Sequence, residues 1–496
     1  MKRGGPFLAL AALAALSTWP VVAQTTQISP HWGSDRIRSA RPVVPESVIE
    51  FDLKTETLAE KQATTVTTSV VILAPTYDYV TQGPQRVLDD YSLCRTLVWS
   101  DAKPILDNSS CFVQPAFFGL EIRNRQYLAG LMSNLTGGSK GAVVPPNPYW
   151  AEAELRVQVE PKAILAVRRA GDATEYRLGD QVVARVIGSA TKLSDEERHE
   201  VARYFARFQP LHPQIRDDLG DSLPSRLEIQ TMEAFKKEWQ ILIISNVRRT
   251  TLAYPLPIGL TSSLMSPMAP PDALHARGVQ ASILAIDGHS ATTKPSLKSI
   301  VDGMRDASAK GRQVEVVLRL LELTQLYASS LQSAGAGSIV NEVRPLFQSA
   351  LRDPYGAKLW AINAMAGDSK APGDREAAAR DLTDAKVFDS MPFGTFHYVI
   401  FANLVRESDT AKWDPSIFKR MPSPLVDNYW AHIVAFPWAS NAYKDAGDTY
   451  LADYDTENAW VAYDLGRAVD RDWRSGVMAN VAQFEDELRK GEPDFF

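Results

Sequence analysis

Two hydrophobic periods divide this chain. Between about residues 60 and 255 the apolar positions come in short stretches bounded by turn residues: TTVTTSVVILAP, AELRVQVEP, EYRLGDQVVARVIG and WQILIISNV. In the second of these Leu155, Val157 and Val159 alternate with Arg156 and Gln158. A period of two puts successive side chains on opposite faces of a strand, so the region predicts a β-rich domain. Gly179-Asp180, inside the third stretch, is placed to turn a hairpin. One helix interrupts the strands. In SDEERHEVARYFARF, Ser194 is placed as N-cap, acidic residues fill the first turn, and Val201, Tyr204, Phe205 and Phe208 form an apolar stripe.

From about residue 295 the apolar positions recur three or four apart. SLKSIVDGMRDASAK, RQVEVVLRLLELTQLYASSL, SIVNEVRPLFQSAL, REAAARDLTDAKVF and SGVMANVAQFEDELRK all read as helices, the last with Val477, Val481, Phe484 and Leu488 on one stripe. Between the two regions, YPLPIGLTSSLMSPMAPPDALHA is dense in proline, which removes amide donors and disfavours helix in the residue before it. VQASILAID after it predicts one more strand. The fold class expected is α+β, a β-rich N-terminal domain followed by an all-α, helical-repeat-like one. The boundaries are a signal peptide at 1–23, an extended polar arm at 24–60, a β-rich α+β domain at 61–253, a proline-rich connection at 254–294 and a helical domain at 295–496.

The stretch YKDAGDTYLADYDTENAWVAYDLGRA is the most patterned in the chain. Tyr443, Gly447 and Tyr450 share one face of a first helix, Ala459, Tyr463 and Gly466 share one face of a second, and Asp455 or Thr456 is placed to cap the second. These six positions resemble the tetratricopeptide repeat, whose large residue, glycine, tyrosine, alanine, aromatic and small residue they match. Gly466 stands where alanine is usual, and Arg471 where a proline commonly closes the unit. Repeats bury their faces against neighbours, so further copies are expected. Residues 318–354 offer a degenerate one, with Leu320, Leu323, Tyr327, Val343, Phe347 and Ala350 at similar spacings. The resemblance implies binding of peptides or partner proteins, without catalysis.

Composition changes the picture at the N-terminus and at the cysteines. MKRGGPFLALAALAALSTWPVVAQ has a basic end, an apolar run from Phe7 to Leu16, and small residues before Gln24. The run is about ten residues, against the roughly 20 of a spanning helix, so it predicts a leader cleaved after Ala23 and a periplasmic or secreted chain with no membrane span. A mature chain beyond the roughly 250–300 residues at which one core stops growing implies at least two domains. Removing Lys2 and Arg3 makes a chain of formal net charge −6 more acidic still, which gives no reason to expect nucleic acid as partner. Cys94 and Cys111 are the only cysteines. In an oxidising compartment they are expected to close a disulfide around a loop of about 17 residues, stabilising by roughly 3 kcal/mol.

Candidate chemistry is sparse. SILAIDGHSATTKPSLKSIVDGM places His289 and Ser290 between a strand-like run and a helix. Gly288 to Thr292 resembles the nucleophile elbow of α/β-hydrolases, departing at Thr292, where that family has glycine. A serine hydrolase is therefore one alternative, with His397 and His432 as downstream histidines. A glycan- or peptide-binding module with Trp99 and Trp150 exposed is another. The seven histidines hold no pair at metal-ligand spacing, since His199-Glu200 is followed by Arg203 where a zinc helix needs histidine. Asp453, Asp455 and Glu457 echo a calcium loop, but Asn458 and Asp464 stand where glycine and glutamate are needed, so a solvated cap is expected. Asp217, Asp218 and Asp221 read as solvated surface and the closing GEPDFF as a frayed tail. The reading favoured is an exported, non-enzymatic binding or scaffold protein of a bacterial-type envelope, without cofactor or metal, whose partner is another envelope protein or peptide.

Overall fold

The structure, a computed structural model, describes residues 28–41, 44–59, 65–120, 164–208, 211–233, 236–265, 273–327, 330–331, 337–364, 381–382, 425–470 and 473–496. The signal peptide expected at 1–23, the strand expected at AELRVQVEP, Trp150 and His397 lie outside these residues, as does all of REAAARDLTDAKVF except Asp381 and Leu382. The chain forms two compact units, one of residues 28–269 together with 484–496, the other built on 270–483. The first is β-rich and the second helical, an α+β architecture.

The β-rich unit is organised on one sheet of twelve strands in the order β14-β6-β5-β4-β3-β2-β1-β13-β12-β9-β8-β7. In chain order these are β1 Glu46–Ala59, β2 Thr65–Leu73, β3 Tyr77–Gln82, β4 Gln85–Asp90, β5 Arg95–Ser100, β6 Lys103–Ser110, β7 Ala166–Ala170, β8 Ala173–Leu178, β9 Gln181–Ile187, β12 Arg226–Glu233, β13 Lys236–Leu252 and β14 Thr261–Ser262. Two short strands, β10 Thr191–Lys192 and β11 Ser222–Leu223, pair separately. Neighbours in the large sheet are antiparallel except β14, which runs parallel to β6. Gly179, at φ +59°, opens the two-residue turn that joins Leu178 to Gln181, as its sequence predicts. A bulge between Glu50 and Asp52 bends the longest pairing, β1 with β13. Asn246 takes the left-handed conformation there (φ +55°) and donates from Nδ2 to Asp52 at 2.7 Å, a local bond that suits asparagine to this region.

Period-two alternation sorts the side chains into two cores. Ile49, Phe51 and Leu53 of β1, Val71 and Leu73 of β2, and Leu242 and Ile244 of β13 face one side. There they meet Val201, Tyr204 and Phe205 of α2 (Asp195–Phe208) and Ile215 and Leu219 of α3 (Pro213–Leu219). The cap expected at Ser194 is reciprocal: its Oγ accepts from Glu197 N at 3.2 Å while its own amide donates to Glu197 Oε2 at 2.8 Å. On the opposite side Val48, Ile72, Leu88, Leu97 and Leu106 pack with Ile28, Tyr254, Leu256 and Ile37 of α1 (Ser34–Ser39).

Two expected boundaries move. The arm at 24–60 is not an extended polar segment: residues 46–59 are the central strand β1, and Ile28 and Ile37 seal the second face of the sheet. The connection at 254–294 likewise begins inside the β-rich core, with Tyr254 and Leu256 buried. Its strand VQASILAID belongs to a helix, α4 (Ala273–Ile286), because Val279 and Ile283 share a buried face and Gly278 lets Trp430 approach.

The helical unit contains α4, α5 (Leu297–Ala309), α6 (Gln313–Leu326), α7 (Gly337–Ala350), α8 (Pro354–Ala364), α9 (Leu425–Ala435), α10 (Ser440–Ala452), α11 (Thr456–Val469) and the first turn of α12 (Ala479–Gly491). One core joins α5 to α8 through Ile300, Met304, Val316, Val317, Val343 and Leu359. Elsewhere α4 packs with α9 and α11, and α10 with α9 and α11, around Trp430, Trp460, Tyr443 and Tyr463.

Candidate functional site

The helix pair singled out by sequence is an antiparallel hairpin whose closest approaches are set by glycine. A Cβ at Gly447 would lie 2.2 Å from Tyr463 Cε1, and one at Gly466 would lie 2.8 Å from Tyr443 Cβ. Each glycine therefore leaves the space that a tyrosine of the other helix occupies. The phenols are satisfied inside the unit. Tyr443 Oη donates to Pro437 O at 2.7 Å and lies 2.8 Å from Ser282 Oγ, while burial pushes its pKa up. Tyr450 Oη accepts from Trp430 Nε1 at 2.9 Å, and Tyr463 Oη donates to Asp448 at 2.8 Å. Ala459 is fully buried, and α11 is covered on almost every side from Ala459 to Arg467. The acidic turn is a cap: Asp455 accepts from Asn458 N at 3.1 Å and from its Nδ2 at 2.7 Å. In the degenerate segment α6 packs on α7, with Leu323, Val343 and Ala350 buried, Leu320 and Tyr327 beside them, and Phe347 against Trp360.

His289 and Ser290 do not form a nucleophile elbow. The run before them is helix α4, not a strand, so the strained strand-to-helix turn that exposes a nucleophile is absent here. Ser290 Oγ instead donates to Thr292 O at 2.7 Å and accepts from Thr292 N at 3.3 Å, a polar turn after the helix, and His289 is exposed. Of the proposed histidine partners, His432 is buried, and burial depresses it to about 4. Cys94 and Cys111 are bonded, 5.0 Å apart at Cα. Trp99 is not exposed for a ligand: it is 5% accessible and stacks on Tyr79 at 5.8 Å. Asp217, Asp218 and Asp221 are exposed, with Asp221 2.9 Å from Arg198. Among the described residues no group of three or more His, Cys, Asp or Glu is placed to hold a metal.

Two buried charge layers escape a reading by motif. They sit back to back on β3 and β4, where Asp78 pairs in register with Asp89 and Tyr77 with Asp90. On the α2 side, Tyr91 donates to Asp78, Thr96 donates to Asp89, and Arg207 Nη1 lies 3.1 Å from Asp89. Arg203 donates to Ala74 O at 3.0 Å and lies 3.5 Å over the Tyr91 ring, which Arg207 approaches at 4.6 Å. Burial pushes Asp78 up to about 7 against the opposing Arg203, and does the same to Glu200 on the same helix face. On the α1 side Arg41 bonds Asp90, Thr76 and Glu46, the last at 2.8 Å, and lies 4.2 Å over the Tyr254 ring, whose hydroxyl donates to Asp90 at 2.7 Å. Through Arg41, Arg203 and Arg207 these contacts tie the end of α1 and α2 to the sheet. The available sequence signal was the spacing of Glu200, Arg203 and Arg207, a polar helical stripe beside the apolar one.

A small cleft lies between α2 and α3, lined by Leu193, Arg198, His199, Arg216, Asp217 and Leu219 among others. The end of the chain is not a frayed tail. Phe495 is 3% accessible, its carbonyl accepts from Arg207 Nε at 2.9 Å, and Phe496 packs 5.1 Å from Phe112. Among the described residues no helix is long and apolar enough to cross a membrane.

No family model matches the chain, and neither does any curated protein. Among solved structures it is similar to a LolA-superfamily protein from Nitrosomonas europaea, at 9% identity over 42% of this chain and 87% of that one, with a TM-score of 0.18.

Proposed function

We propose that the protein is an exported, non-enzymatic binding or scaffold protein of a bacterial-type cell envelope, and that its helical unit engages another envelope protein or peptide. The observation that carries this reading is the α10–α11 hairpin, in which Tyr463 fills the space at Gly447 and Tyr443 the space at Gly466. This is the packing that a tetratricopeptide-like pair needs, and it supports the resemblance seen in the sequence. Burial of α11 on nearly all sides agrees with a unit whose neighbours cover its faces. Export rests on the leader-like N-terminus, with the bonded Cys94 and Cys111 suited to an oxidising compartment.

The partner surface is assigned to the exposed side chains of the helical unit, among them Leu284, Tyr355 and Tyr454. Isolated apolar residues of this kind are ordinary on a surface, so their role is settled by test. The full chain carrying a photo-crosslinking amino acid at each of these three positions is irradiated in intact cells. A discrete adduct with one envelope protein, at one or more of the positions, is the expected outcome. Uncrosslinked chain and self-adducts alone at all three would refute the reading.

A further inference from the structure

The last residues of the chain return to the β-rich unit and occupy a seat whose walls are provided by other elements. Phe495 lies beneath the Arg207 guanidinium, 4.1 Å from its ring, and its carbonyl accepts from Arg207 Nε. Arg207 is held for this contact: Asp89 pairs with it, Tyr91 lies against it, and Gln114 Nε2 donates to its carbonyl at 2.7 Å. Phe112, next to the disulfide, takes the ring of Phe496. The two terminal rings also meet each other at 5.3 Å. Arg489, in the last turn of α12, closes over Phe112 and Phe496, 4.8 Å from each, and donates to Cys94 Sγ at 3.4 Å.

The recognition chemistry is a fixed cation that takes one main-chain carbonyl and one aromatic face, beside an aromatic wall for a second ring. None of it depends on the chain being continuous with the rest of the protein. Aromatic groups held in such a seat carry large binding area at small entropic cost, and the cation over a ring adds to it. We propose that this is a peptide-binding site for a diaromatic segment, occupied in cis by the protein's own Phe495 and Phe496. It lies in the β-rich unit, so it stands or falls independently of any partner of the helical unit.

The probe is a fluorescently labelled synthetic peptide of residues 489–496, followed by anisotropy. The full chain is expected to bind it weakly, because the seat is filled, and a chain ending at Gly491 to bind it saturably. A peptide with alanine for both phenylalanines should bind more than about tenfold more weakly, the loss of two buried aromatic anchors. Should the shortened chain not fold, a protease site placed between Gly491 and Glu492 of the full chain lets the tail be cut after folding, and the labelled peptide is expected to exchange into the cut protein. A folded, tail-free chain that does not take the peptide overturns the proposal. So does equal binding of the diaromatic and dialanine peptides, or unfolding of both tail-free forms, which would make the tail an inseparable part of the core.

Discussion

Gly447→Ala tests the packing of the helix pair most directly, because two general effects oppose each other there. In an exposed helix interior, replacing glycine by alanine gains about 1 kcal/mol through backbone entropy. At Gly447 the new methyl would stand 2.2, 2.6 and 2.7 Å from three ring carbons of Tyr463, so the ring must shift. It has little room: Tyr463 is 1% accessible, packs edge-on to Trp460 at 5.6 Å, and holds Asp448 through its hydroxyl. Overpacking of this kind costs about 1–3 kcal/mol. Losing the hydroxyl bond adds about 1 kcal/mol. The strain exceeds the propensity gain, and a net destabilisation of about 1–3 kcal/mol is expected, at roughly 2–4 °C of melting temperature per kcal/mol for a unit of this size. Differential scanning calorimetry of the full chain measures it. Gly337→Ala, where the methyl meets nothing within 4 Å, is the matched control and should be neutral or mildly stabilising. Tyr463→Leu in the Gly447→Ala background should recover part of the loss, so that the double variant is less destabilised than the two singles summed. A Gly447→Ala melting temperature equal to or above that of the parent would refute the close approach.

Three further outcomes follow from the β-rich unit. Reduction of Cys94–Cys111, or serine at both, should lower stability by about 3 kcal/mol in chemical denaturation, and an unchanged midpoint would deny the bond a stabilising role. Arg41→Ala should cost about 3–5 kcal/mol because Asp90, 1% accessible, loses its cation, whereas Arg41→Met with Asp90→Asn should cost less. For pH, Asp78 is held at about 7 by burial, against about 3.9 in an unfolded chain, so the native state binds the extra proton. Its contribution is present in full below about pH 4 and lost as pH rises through 7. Asp78→Asn should therefore make the urea midpoint fall less steeply than the parent's between pH 5 and 8, with Glu200 supplying the remaining slope. Parallel profiles for the two proteins would show that Asp78 is not protonated in the native state.

The sequence by itself determined the local elements and the division into a β-rich and a helical part. The β-branched run TTVTTSVVILAP, the short apolar run WQILIISNV, the Gly179 turn and the Ser194 cap are decided by neighbours within a few residues, and each is found where the pattern puts it. Gly447 was legible as a small residue between helices for the same reason, whereas Gly466 was legible only as sharing a face with Ala459 and Tyr463, and the close approach of Tyr443 to it came from the structure. Tertiary structure alone decided the rest. VQASILAID is too short and apolar for period to separate strand from helix, and the fit of Gly278 to Trp430 resolves it. The polar segment before residue 60 could not show that Ile28 and Ile37 cover a sheet face, since that face is assembled from strands far along the chain. Buried charges are the sharpest case. Asp78, Asp89 and Asp90 look like surface acids until Arg41, Arg203 and Arg207, each distant in sequence, are brought against them. Asp89 and Asp90 are tolerable there because Arg207 and Arg41 arrive, and Asp78 because burial holds its proton; partner choice at long range is a property of the fold. The same holds for the last two phenylalanines, whose seat is built on Arg207 and Phe112, both far away in sequence.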